Sequence, residues 1–269
     1  MTKTPLRVAK YVFLALAALC SLFPLYFMVV SATNTSADVI GSRLTPGGAL
    51  MDNISKLTTQ QNVGAAMGQS TIYAVSSALL SLLVCSIAGY GFEIYHSKHK
   101  DRLMGLLLLT MMIPFAATMI PLFRMFANLN MVSTLPAVVL PTIATPFLIL
   151  LFRQSARSFP TEIIEAARLD GLSELSIFFR MFLPTMRATY AAAAVITFMA
   201  AWNNFLWPKV ILVDQTFRTM PMLVASLTSG YVTDYGVLML AVLLASLPTM
   251  FLFLVLQRSF AEGITGAVK

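Results

Sequence analysis

The sequence predicts an all-α polytopic membrane protein: six transmembrane helices and a cytoplasmic loop of two short helices, in a single domain over residues 1–269. Three observations carry this prediction. Hydrophobic residues make up 58% of the chain and charged residues 11%, and the mean hydropathy is +0.81, a balance that leaves no soluble domain of useful size. Six apolar stretches, about 8–32, 70–92, 103–126, 135–152, 190–212 and 237–256, approach the roughly 20 residues that a bilayer core requires. With the N-terminus inside, thirteen of the 18 Lys and Arg residues fall on the cytoplasmic side, which places both termini in the cytoplasm.

The first stretch follows Lys3, Arg7 and Lys10, as a secretory signal would, but its apolar run continues through Phe23-Pro24-Leu25 to Val30, too long for a cleaved signal core. It reads as an uncleaved span. Residues 33–67, with Gly41 and Pro46-Gly47-Gly48, form a long external loop with little core of its own. The second stretch carries Ser76, Ser77, Ser81, Ser86 and Gly89, small residues that allow close helix packing. Pro114 and Pro121 in the third stretch, and Pro136, Pro141 and Pro146 in the fourth, predict kinked or interrupted helices.

The loop at about 158–184 is a charged island. Pro160 and Thr161 favour a helix start, Gly171 suits the left-handed conformation that ends one helix, Ser173 can cap the next, and Pro184 ends it. Apolar residues from Ile163 to Phe182 recur at helical spacing, giving two short amphipathic helices broken at one glycine. Ala166 and Ala167 leave a bare surface able to enter a partner's groove, with Glu165 at its edge to pair with a cation.

The fifth stretch holds Ala191 to Ala194 and then Trp202-Asn203-Asn204-Phe205-Leu206-Trp207-Pro208. Adjacent amides in an apolar span require hydrogen bonds, and the flanking indoles can anchor at an interface or stack on sugar faces. Two readings stand for Trp202, Asn203, Asn204 and Trp207: an aromatic belt with interhelical hydrogen bonds, or part of a translocation path. A second external segment, 213–235, precedes the last stretch.

At Glu165-Ala166-Ala167, Gly171, Met181 and Leu183-Pro184 the chain resembles the membrane subunits of binding-protein-dependent ABC importers. Their cytoplasmic loop reads E-A-A, three residues, G, nine residues, I, one residue, L-P, and only Met181 departs from it. The segments Met112-Ile113-Pro114, Ile120-Pro121-Leu122-Phe123, Leu151-Phe152-Arg153-Gln154 and Trp202 to Pro208, and the ending from Gly263 to Lys269, resemble the carbohydrate-importing, maltose-type branch. The resemblance implies the ABC importer permease fold, with Glu165, Ala166, Ala167, Asp170 and Gly171 coupling the chain to an ATPase. It further implies a second permease subunit, two nucleotide-binding ATPase subunits carrying the ATP and Mg, an extracytoplasmic solute-binding protein meeting the external loops, and a bacterial or archaeal inner membrane. A sugar or oligosaccharide is the implied cargo, with glycerol phosphate or another solute as alternatives.

Several classes are disfavoured. The chain contains no G-x-x-x-x-G-K-[ST] loop to cradle phosphates, so no nucleotide cofactor is expected on it. None of the eleven acidic residues lies deep in a predicted span, which weakens an ion-coupled secondary transporter. His96 and His99 share a short loop with Lys98 and Lys100 and lack the glutamate of a zinc helix; no metal site and no catalytic constellation stands out. Cys20 and Cys85 both fall in predicted spans and read as packing residues. The net charge of +7 reflects topology and anionic membrane lipid, since no basic face with interleaved aromatics points to nucleic acid.

Overall fold

The protein was analysed as a computed structural model. It describes residues 3–266, with side chains at 7–214 and 216–257; Ala267, Val268 and Lys269 of the ending singled out above lie outside the described residues. Every regular element among the described residues is helical: α1 Lys3–Ala32, α2 Ser36–Ile40, α3 Leu50–Gln60, α4 Val63–Ile94, α5 Lys98–Thr110, α6 Phe115–Asn128, α7 Leu135–Val139 and α8 Pro146–Ala156. Then follow α9 Thr161–Leu169, α10 Glu174–Ile177, α11 Leu183–Thr185, α12 Arg187–Trp202, α13 Leu206–Ile211, α14 Met220–Leu227 and α15 Tyr235–Gly266.

Among the described residues, three helices are long and apolar enough to cross a membrane unbroken: Arg7–Ala32, Val63–Ile94 and Tyr235–Gln257. Two further crossings exist if bent pairs are joined: α5 with α6, bent by 97°, and Leu135–Thr142 with α8, bent by 51°. Prolines explain both breaks. Pro114 supplies no N–H and stands as the N-cap of α6, and Pro146 opens α8. The third and fourth expected stretches are therefore each two helices. The fifth, 190–212, is also split, into the 16 residues of α12 and the 6 of α13. The count of unbroken or bent crossings thus reaches five, against the six expected from apolar length alone.

The chain falls into two compact units. The first combines residues 3–64 with Met222–Leu247. Its segment between α1 and α4 has more structure than the little core expected of a loop. A capping box closes α2, with Asp38 N donating to Thr35 Oγ1 and the Asp38 carboxylate accepting from Thr35 N. The Nδ2 group of buried Asn53, on α3, donates to Ala32 O and Asn34 O, both at 3.0 Å, satisfying carbonyls that the end of α1 leaves open. Lys56 Nζ pairs with Asp234 Oδ2 at 3.0 Å, and Tyr235 N donates to Ser36 Oγ at 3.0 Å, so the start of α15 is tied to α2 and α3.

The second unit contains Ala65–Pro221 and 248–266. One face of α4 is small and buried: Ser70, Ala74, Ser77, Ser81, Cys85 and Gly89 recur at helical spacing. Against it lies the break between α7 and α8, whose loose carbonyls are met from α4. Ser81 Oγ donates to Thr142 O at 3.0 Å and Cys85 Sγ to Ile143 O at 3.3 Å. In an apolar layer such pairing is what makes a broken helix tolerable. Gly89 is the point of closest approach, because a Cβ there would lie 2.6 Å from Phe152 Cβ and 2.7 Å from Arg153 N.

Gly89→Ala is therefore expected to force α4 from α8 and cost about 1–3 kcal/mol, as overpacking does. Thermal unfolding of the purified protein in detergent measures it. Gly91→Ala is the control, since nothing lies within 4 Å of its added methyl, and it is expected to leave the midpoint in place or raise it slightly.

Candidate functional site

The charged island forms as one helix, a left-handed turn and an irregular second helix. Pro160 is the N-cap of α9, and Ser173 Oγ accepts from Ser176 N at 3.4 Å to cap α10. Between them Gly171 has φ +78°. Gly171 N donates to Arg168 O and Leu172 N to Ala167 O, both at 3.0 Å. This pair of bonds is a Schellman closure, which needs a left-handed residue where glycine carries no Cβ penalty. The second helix departs from expectation. It passes from α10 into a π-helical turn, Phe178–Phe182, and continues through Pro184 to Thr185. The wide turn accommodates the amide that proline lacks, so Pro184 does not stop the helix; the break falls at Met186.

Burial divides the expected coupling residues. Glu165, Ala166, Asp170 and Gly171 are exposed, beside Leu169, which is 89% exposed. Ala167 is not part of that surface. It is turned inward with Ile164 and packs with Tyr90, Phe159, Ile177 and Phe182, because positions 164 and 167 share one helix face while 165 and 166 do not. The bare surface expected of Ala166 and Ala167 together is supplied by Ala166 and Gly171. A cleft of about 240 Å³ opens beside it, lined by Glu93, Arg157, Thr161, Glu165 and Arg168 among others.

Charges brace the loop. Arg168 Nε donates to Glu174 Oε1 at 2.7 Å, and its guanidinium lies 5.9 Å from the centre of the Tyr95 ring. The hydrogen bond from Arg168, followed by that from Tyr95, holds the Glu174 carboxyl below its ordinary value.

The second candidate region is divided in the same way. Trp207 is fully buried; its Nε1 donates to Ala137 O at 2.9 Å and its ring meets Phe115 and Phe126, each at 6.0 Å. Trp202 is buried too and stacks on Phe198 at 5.8 Å. Both indoles are thus in the packing of this chain, where burying an aromatic ring is worth more than exposing it. The two amides end α12. Asn203 Nδ2 donates to Met199 O at 2.9 Å and its residue is exposed, whereas Asn204 Oδ1 accepts from Trp207 N, in the first turn of α13, at 3.4 Å. Asn204 and Trp202 border a polar void of about 10 Å³, the size of one water, together with Ser70, Tyr73, Ser77 and Thr142.

Sequence reasoning missed Glu93, Arg157 and Arg168 as lining of the cleft, having used the two arginines only as markers of topology. For Glu93 and Arg157 a signal was present, since charges close to the ends of apolar stretches have to find partners; Arg168, in the middle of the loop, gave none.

The family model described as "Binding-protein-dependent transport system inner membrane component" matches residues 82–266. The lactose transport system permease protein LacG of Rhizobium radiobacter is 45% identical over 262 residues, covering 97% of this chain and 96% of that protein. The arabinooligosaccharides transport system permease protein AraQ of Halalkalibacterium halodurans is 34% identical over 261 residues, covering 95% and 94%. In fold, the chain is similar to a chain in the crystal structure of a bacterial ABC transporter involved in the import of the acidic polysaccharide alginate, with a TM-score of 0.84 at 19% identity and coverage of 96% and 98%.

The Arg168–Glu174 pair gives a pH dependence with a definite sign. A carboxyl held low stabilises the fold above its unfolded value, about 4.3, and that contribution is lost as pH falls through the lower, folded value. Hydrogen exchange of α9 and α10 is expected to accelerate below pH about 4, near the ordinary carboxylate range, with the Glu174→Gln variant lacking that step. An unchanged step in the variant would assign it to another group.

Proposed function

Because the chain belongs to the binding-protein-dependent transport system inner membrane component family, we propose that it forms half of the path by which a sugar or oligosaccharide enters a bacterial or archaeal cell. Membership makes it a permease subunit of an ABC importer. In this reading a second permease supplies the other half of the path, two nucleotide-binding subunits hold ATP and Mg, and a solute-binding protein delivers the cargo from outside. Both termini lie in the cytoplasm, as does α9. The names of LacG and AraQ support a carbohydrate cargo.

The observation that carries the coupling role is the composition of the outer face of α9. Glu165, Ala166, Leu169, Asp170 and Gly171 present a small, nearly bare ridge with carboxylates on it. A ridge of that kind seats in a groove and pairs with cations of an ATPase subunit. The inner face supports transmission: Ile164 and Ala167 share one packed cluster with Tyr90 of α4 and Phe182. When ATP draws the nucleotide-binding subunits together, α9 is carried with them, and a close-packed interior passes the displacement to α4. Within the path, Asn203 is the exposed amide and Asn204, Trp202 and Trp207 hold the broken helix that presents it.

Uptake into vesicles containing the full importer is expected to require ATP, the ATPase subunits and the binding protein, and to persist when the proton gradient is collapsed. Glu165→Lys reverses the contact charge and is expected to lower uptake by about tenfold or more, the equivalent of losing one charged pair of 1.4 kcal/mol or above. Uptake by this chain alone under an imposed proton or sodium gradient would overturn the importer mechanism; wild-type uptake in Glu165→Lys would remove α9 as the joint.

A further inference from the structure

Beside the cleft, one buried arginine gathers a group of charges to which no role has yet been given. Arg153, in the last turn of α8, is 5% exposed, and its guanidinium reaches two carboxylates on different helices. Nε donates to Glu93 Oε2, near the end of α4, at 3.1 Å, and Nη2 donates to Asp101 Oδ1, in the first turn of α5, at 2.5 Å. Arg157 Nε donates to the same Glu93 oxygen at 3.4 Å, and His96 Nε2 stands 3.0 Å from Asp101 Oδ2. A forked guanidinium shared by two anions has geometric specificity that a single ion pair lacks. Because Arg153 is buried while Glu93 is partly and Asp101 largely exposed, loss of Glu93 removes the less hydrated of its two partners.

The position of this clamp is informative. Gly89, one turn before Glu93, is where α4 comes against Phe152 and Arg153. Tyr90, the next residue, is in the cluster that receives Ile164 and Ala167 of α9 together with Ala156 at the end of α8. Glu93 itself lines the cleft that Glu165 and Arg168 of α9 border. The clamp therefore joins the ends of α4, α5 and α8 directly behind the inner face of α9.

We infer that Arg153 is a positioning residue for energy coupling: by fixing Glu93 and Asp101, it makes the ends of α4 and α5 follow α8 and α9 as one body. This rests on the reading of α9 as the docking helix. Without the clamp, the short α4–α5 connection absorbs the displacement of α9, and ATP is consumed without a matching movement of the transmembrane helices.

The test reconstitutes the complete importer with Arg153→Lys, Glu93→Gln or Glu165→Lys and measures solute taken up per ATP hydrolysed. Lysine keeps the charge, but a single ammonium cannot hold two carboxylates in the fork geometry. A residue needed only for folding lowers uptake and hydrolysis together and leaves their ratio unchanged. Arg153→Lys and Glu93→Gln are each expected to lower the ratio about fivefold or more, the scale of a coupling free energy between sites. A wild-type ratio in both variants overturns the proposal, even where the yield of complex falls. If neither assembles, Asp101→Asn removes the more exposed limb alone, and the same criterion applies to it. Loss of coupling in Glu165→Lys with wild-type ratios in the clamp variants removes the clamp and leaves α9 as the docking helix. The opposite pattern removes the docking reading and retains a coupling role for Arg153.

Discussion

An apolar surrounding gives a backbone N–H or C=O no water to bond with, and this requirement shapes the molecule more than any other. The chain breaks its membrane helices at Pro114, at Pro146 and at Asn203-Asn204, and most breaks free carbonyls or amides. Each has a partner. Ser81 and Cys85 of α4 meet the carbonyls between α7 and α8, the Trp207 indole meets Ala137, Asn204 Oδ1 accepts from Trp207 N, and Ser70 Oγ accepts from Met220 N at 2.7 Å. Small polar residues on α4 thereby do two jobs, allowing close approach and satisfying the breaks that close approach exposes. Irregular helices are possible here because α4 is regular.

Charge obeys the same requirement at the ends of those helices. The residues that the apolar stretches cannot carry, Glu93, Asp101, Arg153 and Arg157, gather into one bonded group, and Arg168 with Glu174 forms another across the Gly171 turn. The two groups flank a single cleft and a single aromatic cluster. Behind α9 there are thus packed rings with a charged border on each side, the medium that the proposed coupling would use.

Much of this was legible in the sequence because it depends on local chemistry. The Pro160 start, the Ser173 cap and the Gly171 turn are decided by one residue each, and all three occur as expected. Proline likewise announced the breaks in the third and fourth stretches. The rest depends on which face a residue presents. Ala166 and Ala167 are chemically equal, and only the packing of α9 sends one outward and the other into the core. Trp202 and Trp207 read alike whether they line a path or fill a gap. In residues 33–62 the apolar signal is short, confined to Leu50, Ile54 and Leu57 of α3, and the order of α2 and α3 comes from Asn53 and Lys56, whose partners Ala32, Asn34 and Asp234 are distant in sequence. The fifth stretch, continuous in hydropathy, is divided at Asn203-Asn204 into α12 and α13, neither of which is long enough to count as a crossing by itself.

The Schellman closure at Gly171 also bears on the thermodynamics of assembly. Both of its hydrogen bonds are internal to the loop, so the ridge acquires its shape when the chain folds, with no partner present. The conformational entropy of ordering these residues is then charged to folding, and a subunit that docks on them meets a preorganised surface. In the docking role proposed for α9, association on such a surface would be fast and still reversible with few contacts.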